Sequence, residues 1–150
     1  KIQVNFYYLK SEFKNVLLRL CKKILLQSEN VLINLNSDGD LRSIDEYLWT
    51  GDRESFLPHS VFNENLADIE KIVLFKGSYT NMTGLKKFRQ IVIAPNVRIQ
   101  SLKHFNKFFI FSNEGIDRQK LSDVQQRLKN KDLDYKFFYE YQNLKWKILN

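Results

Sequence analysis

Paired carboxylates are the first candidates for chemistry in this sequence. Asp45 stands beside Glu46, and Asp52 lies two residues before Glu54. General acid–base catalysis uses carboxyl groups placed close to a reacting proton. Helix capping and a solvated turn use the same side chains, and we favour that interpretation for both pairs.

Histidine and cysteine offer no metal site and no nucleophile. His59, His104 and Cys21 are far apart in the chain and lack the spacing of metal ligands. Cys21 lies in a helical apolar pattern and is predicted to be a small buried hydrophobe. His59 is predicted to hydrogen-bond its own loop rather than to catalyse a reaction.

Motifs for nucleotide binding are missing as well. The sequence has no GxGxxG, no GxxxxGKS or GxxxxGKT, and only five glycines. A phosphate at a helix N-terminus needs close approach of the backbone, which glycine permits. We therefore predict a protein that is not an enzyme and needs no metal or cofactor. A nucleotide-using enzyme is the least favoured alternative.

Length and composition predict one cytoplasmic domain with an anionic partner. A chain of 150 residues, 43% of them hydrophobic, can bury a core as a single domain over residues 1–150. No apolar run reaches the roughly 20 residues of a membrane span, and no leader pattern is visible. The single cysteine fits a reducing compartment. The net charge of +7 favours nucleic acid or an acidic protein segment as the partner.

Hydrophobic periodicity predicts a mainly parallel α/β fold. Strands alternate with helices in the first third of the chain, and such alternation produces a parallel sheet with right-handed crossovers. The chain is predicted to finish in an antiparallel hairpin turning at Gln142–Asn143. The expected architecture is three-layered, with helices on both faces of the sheet. The predicted strands are Ile2–Leu9, Val31–Leu35, Ile69–Phe75, Arg89–Ala94, Lys107–Phe111, Asp134–Tyr141 and Leu144–Leu149; the helices are Glu12–Gln27, Asp38–Trp49 and Asp117–Lys131; Val61–Asp68 and Gly77–Gly84 are loops, and Ser101–Asn106 forms one or two helical turns.

The segment Leu41–His59 joins a helix to a non-helical elbow. Its first part repeats apolar residues at helical spacing up to Trp49. Phe56 and Leu57 then precede Pro58, which biases Leu57 towards an extended backbone. These side chains either fix the elbow to the core or face a partner, and Phe56 is the better candidate for exposure.

One edge of the third predicted helix carries cations. At 100° per residue, Lys120, Arg127 and Lys131 fall within about 40° of one another, directly beside an apolar stripe. Such an edge suits a ligand that has both acidic and apolar parts, although charges beside a buried stripe are also common on solvated faces. The stripe is predicted to consist of Leu121, Val124 and Leu128.

The elbow resembles a known family. A tryptophan that closes a helix, a short acidic turn and then the run SFLPH are similar to the chi subunit of bacterial DNA polymerase III, a clamp-loader accessory protein. The similarity extends over essentially the whole chain through the segments VNFYYL, VLINLNSD and IVIAP. It implies a nucleotide-binding-like α/β fold and a non-catalytic role in DNA replication on the lagging strand.

The resemblance also implies two protein partners. One is psi, the small subunit that tethers chi to the clamp loader. The other is the acidic C-terminal tail of the single-stranded-DNA-binding protein, whose terminal phenylalanine needs an apolar pocket rimmed by cations. DNA would be contacted indirectly, by a monomer or a one-to-one heterodimer. The implied contact residues for psi are Trp49, Phe56, Leu57, Pro58 and His59, and those for the tail are Lys120, Val124, Arg127, Lys129, Lys131 and Ser112.

Direct binding of single-stranded nucleic acid is the alternative function. Aromatic side chains of the terminal strands could stack on bases. Strand alternation places Tyr135, Phe137, Tyr139 and Tyr141 on one face and Phe138 on the other. Burial of these faces by helices is the simpler explanation. Salt-sensitive oligonucleotide binding without a protein partner would favour the alternative.

Overall fold

Strands and helices alternate in the first third of the chain, as the hydrophobic pattern predicts. The computed structural model describes residues 1–52, 57–63, 70–77, 87–99, 105–113, 118–129 and 131–149. These residues form eight strands and three helices. In chain order the elements are β1 (Ile2–Tyr8), α1 (Phe13–Leu26), β2 (Val31–Leu35), α2 (Asp38–Thr50), β3 (Ser60–Val61), β4 (Ile72–Lys76), β5 (Gln90–Ile93), β6 (Lys107–Ser112), α3 (Arg118–Arg127), β7 (Leu133–Gln142) and β8 (Lys145–Leu149).

All eight strands belong to one sheet, in the order β3-β4-β2-β5-β6-β1-β7-β8. Every neighbouring pair is parallel except β7 and β8, which form an antiparallel hairpin. The predicted fold class is therefore confirmed. Strand β2 is buried along its whole length, as expected for the interior of a parallel sheet covered on both faces.

The helices cover opposite faces of the sheet. The crossovers through α1 and α2 run in one direction along the strand order, and the crossover through α3 runs in the other. Because parallel crossovers are right-handed, opposite directions place helices on opposite faces. Phe13, at the start of α1, packs edge-on against Phe111 with ring centroids 5.1 Å apart, which identifies the face that α1 covers. Helix α3 lies on the other face.

Aromatic side chains of three neighbouring strands stack across both faces. On the α1 face, Tyr7 stacks on Phe111 at 4.8 Å and on Phe138 at 4.9 Å. On the α3 face, Phe6 stacks on Phe137 at 5.2 Å. The predicted alternation along β7 is thus confirmed, since Phe137 and Phe138 lie on opposite faces.

A few element boundaries differ from the predictions. Ser60–Val61 pairs with β4 as a two-residue strand, whereas the sequence predicted a loop from Val61 onward. The hairpin turn falls at Asn143 and Leu144, one residue later than predicted, and Leu144 adopts a φ of 60°. The predicted loop at 77–84 and the helical turns at 101–106 lie largely outside the described residues. No helix in the described part of the chain combines the length and apolar character of a membrane span.

One buried carboxylate ties the end of β1 to the C-terminal hairpin. Glu140 is fully buried. Its Oε1 accepts hydrogen bonds from the backbone N–H groups of Lys10 (2.6 Å) and Ser11 (2.8 Å). Its Oε2 accepts from the Ser11 hydroxyl (2.7 Å) and the Leu144 N–H (2.6 Å). Burial alone would raise the pKa of Glu140, but these four hydrogen bonds outweigh it and lower the pKa below its ordinary 4.5.

Substitution of this carboxylate should destabilise the fold in a pH-dependent way. In a Glu140→Gln variant the amide nitrogen faces an N–H or O–H donor in either orientation, so we expect a loss of about 3 kcal/mol at pH 7. A lowered pKa means that ionised Glu140 stabilises the fold above the unfolded pKa. The difference between the two proteins should therefore shrink as the pH falls below about 4.5.

Urea unfolding of both proteins at a series of pH values measures this difference. Glu46→Gln is the matched control, since Glu46 is an exposed carboxylate on α2. A Glu140→Gln variant as stable as the wild type at pH 7 would contradict the prediction.

Candidate functional site

Helix α3 and the turn after it bury a wider arc than the one predicted. Lys120, Asp123, Val124 and Leu128 are all buried, whereas Leu121 is only half-buried. Val124 and Leu128 of the predicted stripe are therefore buried, and Leu121 packs partly buried against the core. The buried arc extends further round the helix than predicted, to Lys120 and Asp123. The sequence misled here because two charged residues occupy core-facing positions.

Lys120 is an internal side chain rather than an exposed cation. It is 2% exposed, and its Nζ donates to the carbonyl oxygens of Phe111 (2.7 Å) and Ala94 (3.0 Å). Ala94 directly follows β5, and Phe111 is the second-last residue of the neighbouring strand β6. The prediction that Lys120 lines an exposed edge was wrong, because its ammonium group is used to join α3 to the sheet.

A second buried charge organises two arginines. Asp123 is 4% exposed and accepts a hydrogen bond from Gln119 Nε2 at 2.9 Å. Its Oδ1 lies 3.6 Å from a guanidinium nitrogen of Arg127. Its Oδ2 lies 3.6 Å from a guanidinium nitrogen of Arg98. Among the described residues, Oδ2 has no hydrogen-bond partner. Arg98 and Arg127 remain 70% and 40% exposed, so both can reach a ligand.

Arg98 was not a candidate in the sequence. It follows β5, far from α3 in the chain, and no motif connects it with Asp123. Only the packing of α3 beside the end of β5 places Arg98 and Arg127 at one carboxylate. The Asp123–Arg127 spacing of i and i+4 was the one signal that the sequence carried.

The remaining predicted tail-binding residues do not form one cluster. Lys129 and Lys131 are exposed beyond the end of α3. Val124 is completely buried, so it contributes to the core rather than to a surface. Ser112 is buried at the opposite edge of the sheet.

The separation of Ser112 from Lys131 follows from strand register. Ser112 pairs with Tyr8, at the end of β1, while Ile2 donates its N–H to the carbonyl of Asp132, next to Lys131. Six residue steps along β1 at about 3.3 Å each separate these positions by about 20 Å. Ser112 therefore does not border the cations at the end of α3, and that prediction was wrong.

Half-buried aromatic side chains lie on the same face of the sheet as α3. Phe6 is buried between Tyr135 and Phe137, with ring centroids at 6.4 and 5.2 Å. Tyr135 and Phe137 themselves are half-buried. Desolvation by burial raises the pKa of Tyr135. This face thus has apolar surface on β7, which begins two residues after Lys131.

The elbow is fixed by its histidine. His59 is 5% exposed; its Nδ1 lies 2.8 Å from the Leu57 carbonyl and its Nε2 lies 2.8 Å from Asp45 Oδ1. The Trp49 ring packs on His59 with centroids 4.3 Å apart. The prediction that His59 hydrogen-bonds its own loop is confirmed, and Asp45 holds this ring in place.

Only part of the elbow can face a partner directly. Leu57 is 3% exposed and His59 is buried, so their assignment to a contact surface was wrong: both side chains hold the elbow onto the core. Trp49 is 44% exposed and Pro58 is exposed. Phe56 lies outside the described residues.

The candidates for covalent or metal chemistry remain dispersed. Cys21 is fully buried, and burial raises the pKa of its thiol to about 12, which disfavours the reactive thiolate. Within the described ranges, no three His, Cys, Asp or Glu side chains are grouped so that they could hold a metal ion. The features built by this structure are instead charged and aromatic surfaces on a parallel α/β sheet.

A protein-family model matches most of this α/β domain. Residues 2–131 match the family model of the DNA polymerase III chi subunit, HolC, and the chain therefore belongs to that family. No curated protein matches the chain. Membership makes this protein an accessory subunit of DNA polymerase III in DNA replication, associated with the clamp loader.

Removal of the Lys120 ammonium should destabilise the fold. Lys120→Met keeps the length and apolar character of the side chain but removes the Lys120 donor from the carbonyls of Ala94 and Phe111. The Ala94 carbonyl then keeps the Val97 N–H, at 3.2 Å. We expect a loss of roughly 2–4 kcal/mol, which lowers Tm by roughly 4–16 °C for a domain of this size.

Thermal unfolding followed by circular dichroism measures this loss. Lys129→Met is the control, because Lys129 is an exposed lysine beyond the same helix. Equal melting temperatures for the two variants would show that Lys120 does not join α3 to the sheet.

Proposed function

We propose that this chain links the clamp loader of DNA polymerase III to the acidic C-terminal tail of the single-stranded-DNA-binding protein. The link would operate in the cytoplasm during lagging-strand synthesis and would involve no chemistry of its own. The observation that carries the proposal is the pair of exposed guanidinium groups that Arg98 and Arg127 hold at one buried carboxylate.

The loose geometry of these ion pairs leaves donors for a ligand. A separation of 3.6 Å exceeds the usual N–H···O hydrogen-bond range, so neither guanidinium is saturated by Asp123. Each guanidinium has five N–H donors in a planar fork that matches a carboxylate. Asp123 thus holds the arginines in position while acidic groups of a tail compete for their free donors.

The exposed lysines extend this basic surface. Lys129 and Lys131 follow Arg127 at the end of α3, where cations are also favoured by the helix dipole. Several acidic residues of a tail could therefore be bound along one surface. In this proposal Lys120 contributes only by fixing the helix.

An apolar tail end also needs a surface to pack against. The half-buried rings of Tyr135 and Phe137 lie on the α3 face, directly along the chain from Lys131. A terminal phenylalanine packed there would have its carboxylate close to the cations. Aromatic pairs contribute about 0.5–1.5 kcal/mol beyond the burial of area.

The protein would act by tethering the clamp loader to the DNA-binding protein. A protein held to the clamp loader and to a tail-bearing DNA-binding protein raises the effective concentration of each near the other. The gain in avidity requires only modest affinity at each contact. No bond needs to be made or broken for this function.

Removal of two cations should weaken tail binding. For Arg127→Ala with Lys131→Ala, we expect at least tenfold weaker binding of an acidic peptide ending in Ile-Pro-Phe, which corresponds to about 1.4 kcal/mol. Arg98→Ala should weaken it by several-fold. Fluorescence anisotropy with the labelled peptide measures both, and a peptide without the final phenylalanine should bind more weakly.

The matched control is Arg19→Ala with Lys23→Ala, two exposed cations with the same spacing on α1. This control loses the same charge on the opposite face of the sheet. Affinities reduced equally in both double variants would reduce the proposal to a general charge effect. Unchanged affinity in the α3 variant would reject it.

We further propose that the elbow contacts the psi subunit where one is present. Trp49 has a half-exposed indole that packs on His59, and Pro58 next to that histidine in the chain is exposed. The hydrogen bond between His59 and Asp45 keeps this segment rigid. Exposed aromatic residues on rigid supports are typical anchors of protein interfaces. Leu57 and His59 would act by holding the elbow rather than by touching psi.

Truncation of the anchor should weaken that contact. Trp49→Ala should lower the affinity for psi at least tenfold in a calorimetric titration, because interface tryptophans often contribute 2 kcal/mol or more. Leu26→Ala is the control, since Leu26 is an 87% exposed apolar residue at the end of α1. A Trp49→Ala protein that binds psi like the wild type would exclude this surface.

A further inference from the structure

A polar cavity opens at the edge of the sheet where several parallel strands begin. It encloses about 440 Å³ between the amino-terminal ends of β1, β2, β5 and β6. The Arg89 carbonyl accepts hydrogen bonds from the backbone N–H groups of Asn106 (2.8 Å) and Lys107 (3.2 Å). The Gln3 N–H donates to the Asn106 carbonyl at 2.9 Å. Backbone hydrogen bonds therefore fix the walls of this cavity.

Cations dominate the lining of the cavity. Lys1, Lys87, Arg89 and Lys107 line it together with one carboxylate, that of Glu29. The ammonium groups of Lys87 and Lys107 lie 5.2 and 5.0 Å from the ring centroids of Phe88 and Phe109, respectively. A cavity with this balance of charge attracts an anion.

One buried side chain in the lining lacks a partner for its acceptor. Gln90 is 6% exposed, and its Nε2 donates to Glu29 Oε2 (3.0 Å) and to the Asn30 carbonyl (3.1 Å). Both of these partners can only accept, which fixes the orientation of the amide. Its carbonyl oxygen, Oε1, has no hydrogen-bond partner among the described residues. A buried acceptor left unpaired costs about 1–3 kcal/mol, so a ligand that supplies an N–H or O–H donor would recover that cost.

The lining distinguishes between possible anions. No apolar residue is among the described residues that line the cavity, so they give the phenylalanine-ended tail of the proposed function nothing to pack against. Phosphates suit the cations of the lining. Asparagine and glutamine amides can hydrogen-bond the edges of bases, and Gln3, Asn30 and Asn106 line the cavity. A phosphate joined to a base that has free donors is a nucleotide unit. Base edges are free in a single strand and are paired in a duplex.

We propose that this cavity binds a nucleotide unit of single-stranded nucleic acid, with phosphates on Arg89, Lys87 and Lys107 and a base donor on Gln90. The surface is separate from the Arg98–Arg127 pair and from the aromatic face of β7. Direct contact with the strand would then accompany binding of the protein that coats it.

Charge reversal at the cavity tests the proposal. For Arg89→Glu with Lys107→Glu in the full chain, we expect at least tenfold weaker binding of a labelled single-stranded oligonucleotide at about 50 mM salt. The slope of log affinity against log salt should fall by at least about 1.4, since each phosphate contact on a single strand contributes about 0.7. The tail peptide should bind this variant almost as it binds the wild type.

The matched control is Arg42→Glu with Lys145→Glu, which makes the same change in net charge at exposed positions outside the cavity. Melting curves establish that both variants are folded. Equal weakening by the two variants, or wild-type affinity in the cavity variant, would overturn the proposal. Absence of oligonucleotide binding by the wild-type protein would overturn it as well.

Two further ligands test the parts of the nucleotide separately. An abasic strand should bind several-fold more weakly, because it leaves Gln90 Oε1 without a donor; equal affinity would overturn the base contact. A duplex of the same length should also bind more weakly, and equal or tighter binding would overturn the preference for single strands.

Discussion

The buried ammonium of Lys120 determines how the surfaces of this protein are arranged. Its hydrogen bonds to the carbonyls of Ala94 and Phe111 join α3 to two strands and fix the rotation of the helix. That rotation turns Asp123 inward and brings Arg127 to the same carboxylate as Arg98. A buried cation is costly unless it is hydrogen-bonded, so this arrangement depends on both carbonyls being in place.

Buried polar side chains have a similar role elsewhere in the fold. Glu140 gathers donors from the end of β1 and from the hairpin turn, and thereby fixes the chain that leads into α1. His59 spans the elbow between the Leu57 carbonyl and Asp45. In each case a polar side chain hydrogen-bonds backbone groups and thereby fixes a loop or turn. The exposed groups that remain, among them Arg98, Arg127 and Trp49, therefore project from a rigid framework.

Basic surface is distributed over two places with different chemistry. The end of α3 combines cations with half-buried aromatic rings, which suits an acidic and partly apolar peptide. At the cavity where the strands begin, the described lining residues combine cations with amides and include no apolar residue. Exposed cations thus contribute to two surfaces that could serve different anions.

The sequence alone was enough for the fold class, the family and the order of the elements apart from the two-residue strand β3. Alternation of apolar runs defined the parallel sheet, and the SFLPH elbow carried the resemblance. Strand and helix patterns are local, so they can be recognised without knowing which elements meet. Even the opposite orientation of Phe137 and Phe138 followed from the two-residue repeat of a strand.

Tertiary structure decided which charged residues are available to a ligand. Helical periodicity cannot distinguish a surface lysine from one that reaches buried carbonyls, so Lys120 was misplaced. Strand register put Ser112 about 20 Å from Lys131, a separation that no local pattern encodes. Arg98 joined the site only because β5 ends beside α3. Sites assembled across a sheet depend on long-range packing, and that packing is the information that a single sequence does not display.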